Sequence, residues 1–250
     1  MIKFFRKIRQ QLAYENNVSK YTRYAIGEIV LVVIGILIAL QVNNWKENIS
    51  IIKSEKKYMQ NLKEDLQNDI LLFDNYLTRN RELFKMIDST ITYLSREDFK
   101  NTSDKSSYYA RTISLRWNRV QPVERTFEQM KSSGQLKIIS NQIVSDKISD
   151  YYNSIYELET YNQAILMWLE GYLKCMGKVY DGEVLFEILR TNAPVETDND
   201  AIITENPTII NELITSAQYV YGGISLSETI VKQNKSKAEK LILEIDKNYN

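Results

Sequence analysis

One carboxylate stands inside the most apolar stretch of the chain: Glu28, within YAIGEIVLVVIGILIALQVNNW from Tyr24 to Trp45. An acid at bilayer depth costs several kcal/mol unless it is paired, protonated or within reach of the headgroups. Three chemistries suit such a residue: a proton relay, a partner for a basic residue on another helix, and a hydrogen bond facing a second copy of the span. Against them stands a plain reading, because Glu28 lies about 6 Å beyond Tyr24 along a helix and can snorkel to the nearer headgroups. Ala25, Glu28, Val32, Gly35, Ala39 and Val42 recur at three- and four-residue spacing. Gly35-x-x-x-Ala39 is the small-residue pattern that lets membrane helices approach closely. A helix–helix contact therefore ranks ahead of proton conduction as a special role for Glu28.

Other groupings are weaker. Glu196, Asp198, Asp200 and Glu205 share one segment. Oxygen ligands at i and i+2 suit Ca²⁺, but the glycine and the distal bidentate glutamate of a calcium loop are missing, so a solvated acidic loop is expected. Glu64, Asp65 and Asp69 in NLKEDLQND would hold a metal only with ligands from another helix, and the Glu-x-x-His signature of di-iron bundles is absent. These three are expected on an exposed helix face. Cys175, the single cysteine, lies beside Lys174 with no base to activate it, and reads as a small core or surface residue. The chain has no histidine, which removes Ser-His-Asp and Cys-His catalysis and imidazole metal sites. No Walker A sequence, G-x-G-x-x-G, zinc spacing or nucleophile elbow occurs. The expectation is a protein without catalytic residues, cofactor or metal.

Charge distribution points to the membrane. The 250 residues carry no formal net charge. Residues 1–24 nevertheless hold six basic residues against Glu15, a net of +5, which leaves −5 for the rest. A globally basic nucleic-acid binder is excluded. In MIKFFRKIRQQL, Ile2, Phe5, Ile8 and Leu12 recur at helical spacing, with Lys3, Arg6, Lys7 and Arg9 on the other face. That pattern fits a basic amphipathic helix on anionic headgroups, over residues 1–20.

The 22 residues from Tyr24 to Trp45 span about 33 Å as a helix, enough to cross a bilayer. Tyr21, Tyr24 and Trp45 would mark the interfaces. The run is long and LQVNNW offers no small-residue cleavage pattern, so an uncleaved signal anchor over residues 21–45 is favoured over a signal peptide. Six Lys/Arg precede the span and four follow it closely. This places the N-terminus in the cytoplasm and residues 46–250 on the far side.

Three prolines and eight glycines favour long helices throughout. Met59, Leu62, Leu66, Ile70, Phe73, Leu77, Phe84, Ile87, Ile91 and Leu94 form one helical stripe. A polar break at 95–107 precedes a second arm, roughly Ser107 to Ser133, kinked or split at Pro122. The alternation Ile113, Leu115, Trp117 also fits a strand. Gly134 suits a left-handed cap and Ser140 or Asn141 an N-cap for a helix from Gln142 to about Lys178. Its expected inner face is Ile148, Tyr152, Ile155, Leu158, Tyr161, Ile165, Leu169 and Tyr172. The seventeen tyrosines read as bundle packing with hydroxyls at the rim. Residues 180–207 form a loop region with a short helix from Glu183 to Leu189, and Pro207, behind Asn206 as cap, opens the last helix to about Lys247. A bend at Gly222-Gly223 fits that helix. The fold class is all-α: one transmembrane helix, then an elongated antiparallel bundle of about four long arms, up-down-up-down. Three arms with decoration at the far end is the alternative.

MIKFFRKIRQ, SKYTRYAIGEIVLVVIGILIALQVNNW and KSSGQLKIISNQ together resemble a large uncharacterised family of single-span membrane proteins of Bacteroidota. The resemblance implies a single-span anchor in the bacterial inner membrane and an α-helical exported domain in the periplasm. It brings no known activity, cofactor or catalytic residue.

The function expected from these features is a membrane-anchored, non-enzymatic interaction or scaffold protein. Its partners would be the lipid bilayer, a second copy or another membrane protein through the span, and a periplasmic protein, with no nucleic acid. One alternative is an accessory subunit of a proton-driven envelope complex using Glu28, an analogy of topology only. The other is a sensor bundle, which would need a partner to act across the membrane.

Overall fold

The structure is a computed structural model that describes residues 18–97, 103–193 and 202–249. The basic segment with Lys3, Arg6, Lys7 and Arg9 lies outside the described residues, as do Glu196, Asp198 and Asp200. The chain divides into two compact units, residues 1–57 and 58–250. One helix, α1 (Val18–Leu94), contributes to both.

In the first unit, α1 carries an 18-residue window of mean hydropathy 2.6, none of it buried. By length and composition it is the one helix among the described residues able to cross a membrane.

The second unit is all-helical packing in four antiparallel lanes. The lanes are α1 from Tyr58 onward, then α2 (Ser103–Arg116) with α3 (Arg125–Ser132), then α4 (Gln142–Val179), and finally α6 (Pro207–Tyr249). The short helix α5 (Glu183–Thr191) joins the last two. Cross-links fix the directions. Tyr76 Oη donates to Ser227 Oγ (3.0 Å) and Lys235 Nζ to Asp74 (2.6 Å), so α1 and α6 run in opposite senses. Lys147 meets Glu244 and Lys178 meets Glu212, which sets α4 antiparallel to α6. Thr126 bonds Asp65 while Tyr172 bonds the Ala110 carbonyl, so the second lane descends between α1 and α4.

The up-down-up-down order is therefore as expected, but the second lane is not one long helix. Residues 117–124 are non-helical and divide α2 from α3. Pro122 has no N–H to donate and its ring disfavours helix at Gln121. The strand alternative for Ile113, Leu115 and Trp117 fails, because Ile113 and Leu115 lie in α2 and Trp117 N still donates to the Ile113 carbonyl. Among the described residues the only extended pairing is one isolated bridge, Tyr180 with Ile202.

Punctuation follows local chemistry. Gly134 takes φ 67°, ψ 20° after α3, a left-handed conformation that a Cβ would strain. Asn141 Oδ1 accepts from Val144 N (3.1 Å) and caps α4. Asn206 Oδ1 accepts from Thr208 N (2.9 Å) just ahead of Pro207, which opens α6 as expected.

Two apolar clusters fill the unit. One gathers Met59, Leu66 and Phe73 of α1, Phe127 and Met130 of α3, and facing residues of α4 and α6. Its rings stack tightly, Phe127 on Tyr152 at 4.0 Å and 8°. The other gathers Leu83 and Ile87, Ala110 and Ile113, Leu169 and Tyr172, and Leu213 to Ile224.

Two expectations about the inner faces are corrected. Tyr161 points outward, and Asn162 is buried instead, its Nδ2 donating to the Val120 carbonyl at 3.0 Å. The non-helical segment of the second lane leaves that carbonyl without a helical partner, so an amide is worth more there than a ring. The tyrosine hydroxyls are not confined to the rim either. Those of Tyr151 and Tyr172 are buried hydrogen-bond donors.

Candidate functional site

Three places hold side chains whose arrangement goes beyond packing. The first is the span. Ala25, Glu28, Gly35 and Ala39 all lie in uninterrupted helix, so their spacing does put them on one face. Gly35 and Ala39 are exposed, Ala25 and Glu28 half-buried, and a Cβ added at Gly35 would meet nothing within 4 Å. The helix brings these four into register along one stripe.

The second place is a buried acidic joint. Asp65 and Asp69, expected on a solvated face beside the exposed Glu64, are instead fully buried. Asp65 accepts from Thr126 N (3.1 Å) and Arg125 Nη2 (2.8 Å). Glu124, at the N-cap position of α3, makes no side-chain cap bond. Asp65 thus supplies from another helix the acceptor that the start of α3 lacks, and its charge faces the positive end of the α3 dipole. Asp69 accepts from Val123 N (2.6 Å) and from Tyr151 Oη (2.7 Å). Together the two carboxylates fasten the non-helical strap and the first turn of α3 to α1.

The electrostatics of the joint are unequal. Burial pushes Asp69 up to about 6, with the bonds from Tyr151 and Val123 pulling the other way and the charge of Asp65 adding to the rise. Burial, reinforced by the neighbouring Asp69 charge, holds the Tyr151 hydroxyl well above its ordinary range. No substrate could reach carboxylates with no exposed surface, so this joint works on the fold.

Another buried charge lies in the far cluster. Arg111 Nε donates to Ser107 Oγ (2.7 Å), and the guanidinium sits 5.5 Å from the centre of the Tyr180 ring. Burial lowers the Arg111 pKa and raises Tyr180 to about 12.

The third place is an exposed apolar seam along α4 and α6. Gly223 lies where Trp168 crosses α6, and a Cβ there would come within 2.2 Å of the indole ring. Gly222-Gly223 accordingly serves close approach rather than helix termination, since α6 continues through it. Tyr219 and Leu226 stand one turn to either side of Gly223, and Tyr161 two turns before Trp168. These four side chains remain between 37% (Trp168) and 63% (Tyr219) exposed. Sequence reasoning missed this seam because Tyr161 fitted the inward stripe. The adjacent glycines were the available signal, since two glycines in mid-helix often mark a close contact.

Cys175 is half-buried against the far cluster. Among the described residues no group of three or more His, Cys, Asp or Glu side chains is placed to hold a metal ion.

Comparison with known proteins gives one positive result. The family of unknown function DUF6090 matches residues 28–185, from Glu28 in the apolar part of α1 through the strap and α4 into α5. No curated protein and no solved structure matches the chain. With well over half of its length covered, the chain belongs to the DUF6090 family of unknown function.

Proposed function

We propose that this is a membrane-anchored, non-enzymatic interaction protein of the bacterial inner membrane, in a family centred on Bacteroidota. In this reading α1 crosses the membrane with its N-terminus in the cytoplasm, and residues 58–250 form a periplasmic module that docks another envelope protein. The orientation rests on the six basic residues before the span against four close after it. The docking role rests on one observation: the row of Tyr161, Trp168, Tyr219 and Leu226 left open across α4 and α6. Contiguous apolar surface rimmed by polar residues is characteristic of interaction sites, and aromatic anchors of this kind carry a large share of interface energy.

A second reading gives Glu28 the working role, as an accessory subunit of a proton-driven complex. It is favoured by the position of the acid on the same face as Ala25, Gly35 and Ala39.

One experiment addresses both. The full chain, tagged at its C-terminus, is isolated from native membranes as wild type, as Tyr219→Ser/Leu226→Ser and as Glu28→Gln. The docking reading predicts a stoichiometric partner that is reduced at least tenfold by the seam variant and retained by Glu28→Gln. Equal recovery of the partner with the seam variant would overturn it. Loss with Glu28→Gln alone would favour the second reading.

A further inference from the structure

Large and small residues alternate along the α4–α6 seam in a way that packing within the chain does not explain. Trp168 crosses α6 at Gly223, and this contact fixes which residues of the two antiparallel helices share a height. Lys147 with Glu244 and Lys178 with Glu212 give the same register at either end. One turn from Trp168 toward Lys178, Gly171 comes level with Tyr219. One turn the other way, Ala164 comes level with Leu226, and Gly222 stands beside Trp168 itself. Each of these three levels sets a large, partly exposed side chain on one helix against a small residue on the other.

Gly171 and Gly222 are exposed and in mid-helix, and a Cβ added at either would meet nothing within 4 Å. Glycine weakens a helix interior relative to alanine. Unlike Gly223, neither glycine is required by a neighbour in its own chain. Mid-helix glycines on an open face suit the close approach of another surface. Charge narrows independently what that surface is. α4 has no charged residue from 160 to 169 and α6 none from 213 to 227, the charge depletion found at interface cores. Where charge resumes on the seam, Lys178 Nζ donates to Glu212 (2.9 Å), so each helix carries one sign.

We infer that the seam is the contact face between two copies of this chain, packed about a two-fold axis that runs along it. The inference rests on the docking reading of the seam and names its occupant. Such an axis lays α4 of one copy against α6 of the other at the same height. Trp168 then enters the space over the second copy's Gly222, Tyr219 that over Gly171, and Leu226 that over Ala164. The same three contacts recur by symmetry. Lys178 faces Glu212 across the interface, opposite sign to opposite sign. An axis across the helices at the height of Trp168 would instead set Leu226 on Tyr219 and Trp168 on Trp168, and leave Gly171 facing Ala164. Shape and charge match only in the first arrangement. An unrelated partner would need this series of heights built into another sequence, whereas a second copy already has it.

Sedimentation of the full chain in detergent micelles is expected to give a dimer. Gly171→Leu/Gly222→Leu, which fills both recesses, should weaken self-association at least tenfold with helix content by circular dichroism unchanged, because an added Cβ meets nothing at either site. Cross-linking in membranes tests the same register without that variant. In a Cys175→Ser background, one tagged copy carrying Ala164→Cys is expressed with another carrying Leu226→Cys, and mild oxidation should join them. Gly171→Cys paired with Leu226→Cys is about 10 Å out of level and should be joined at least tenfold less. A monomeric wild type, self-association that survives Gly171→Leu/Gly222→Leu, or equal joining of the two cysteine pairs overturns the inference. If the chain is monomeric but a different protein co-purifies with it and is lost with Tyr219→Ser/Leu226→Ser, the docking reading stands and this occupant is wrong. If neither is found, both fall.

Discussion

Asp65→Ala is expected to destabilise the helical unit by about 3 kcal/mol, and Asp65→Asn by about 1 kcal/mol. The difference follows from what each variant leaves behind. Alanine removes the acceptor for Thr126 N, a group at the first turn of α3 in a residue that is 1% exposed. A buried donor stranded in this way carries its full desolvation cost. The ion pair with Arg125 contributes less, because the arginine side chain is 72% exposed and solvent screens it. Asparagine keeps an oxygen in place for Thr126 N and loses mainly the charge facing the α3 dipole. Urea unfolding of the full chain, followed by tryptophan fluorescence, measures both. If alanine proves as mild as asparagine, Asp65 is not the cap of α3.

The second large effect is on pH. Asp69 has a folded pKa of about 6 against 3.8 for an unperturbed group, because burial disfavours its charge. An acid whose folded pKa is raised binds its proton more tightly when folded. The charged form therefore penalises folding in full above about pH 6. The penalty shrinks as pH falls through 6 and is gone below 3.8. At 1.36 kcal/mol per unit the interval corresponds to roughly 3 kcal/mol. Asp69→Asn has no such charge and retains an oxygen for Val123 N, while its amide can donate to Tyr151 Oη. Relative to wild type, the variant should be more stable by about 2–3 kcal/mol at pH 7.5, and the gap should close toward pH 4. Taking the difference between the two chains cancels the titrating groups that do not sense the Asp69 charge. A gap that is flat across this range, or that widens on acidification, would contradict the burial-driven shift.

How legible all this was in the sequence depends on how far each signal reaches. Gly134, Asn141 and Pro207 act on backbone groups within a few residues, and their roles could be read directly from their types. The apolar stripe of α1 was equally readable, because helical spacing alone decides which residues share a face. Pro122 marked the break in the second lane, but not its consequence. The freed backbone needs partners 54 to 61 residues away, at Asp69 and Asp65. Nothing local distinguishes those two carboxylates from the exposed Glu64 next to them. Asn162 and Tyr161 exchanged places for the same reason, since the carbonyl that rewards the amide lies 42 residues earlier. The residues of the span are a different case. Glu28, Ala25, Gly35 and Ala39 share a face by spacing, and their role depends on what lies beside that face.

The account rests most heavily on the sidedness of the chain, because a partner in the periplasm presupposes a module exported there. Two cysteine reporters in a Cys175→Ser background measure it directly. Glu170→Cys marks α4, where the native side chain is 67% exposed, and Ser19→Cys marks the residues before the span, at an exposed position. Intact spheroplasts are treated with a membrane-impermeant maleimide, before and after permeabilisation. The account predicts that Glu170→Cys is labelled at once and Ser19→Cys only after permeabilisation. The reverse pattern, or protection of Glu170→Cys until the membrane is opened, would contradict it.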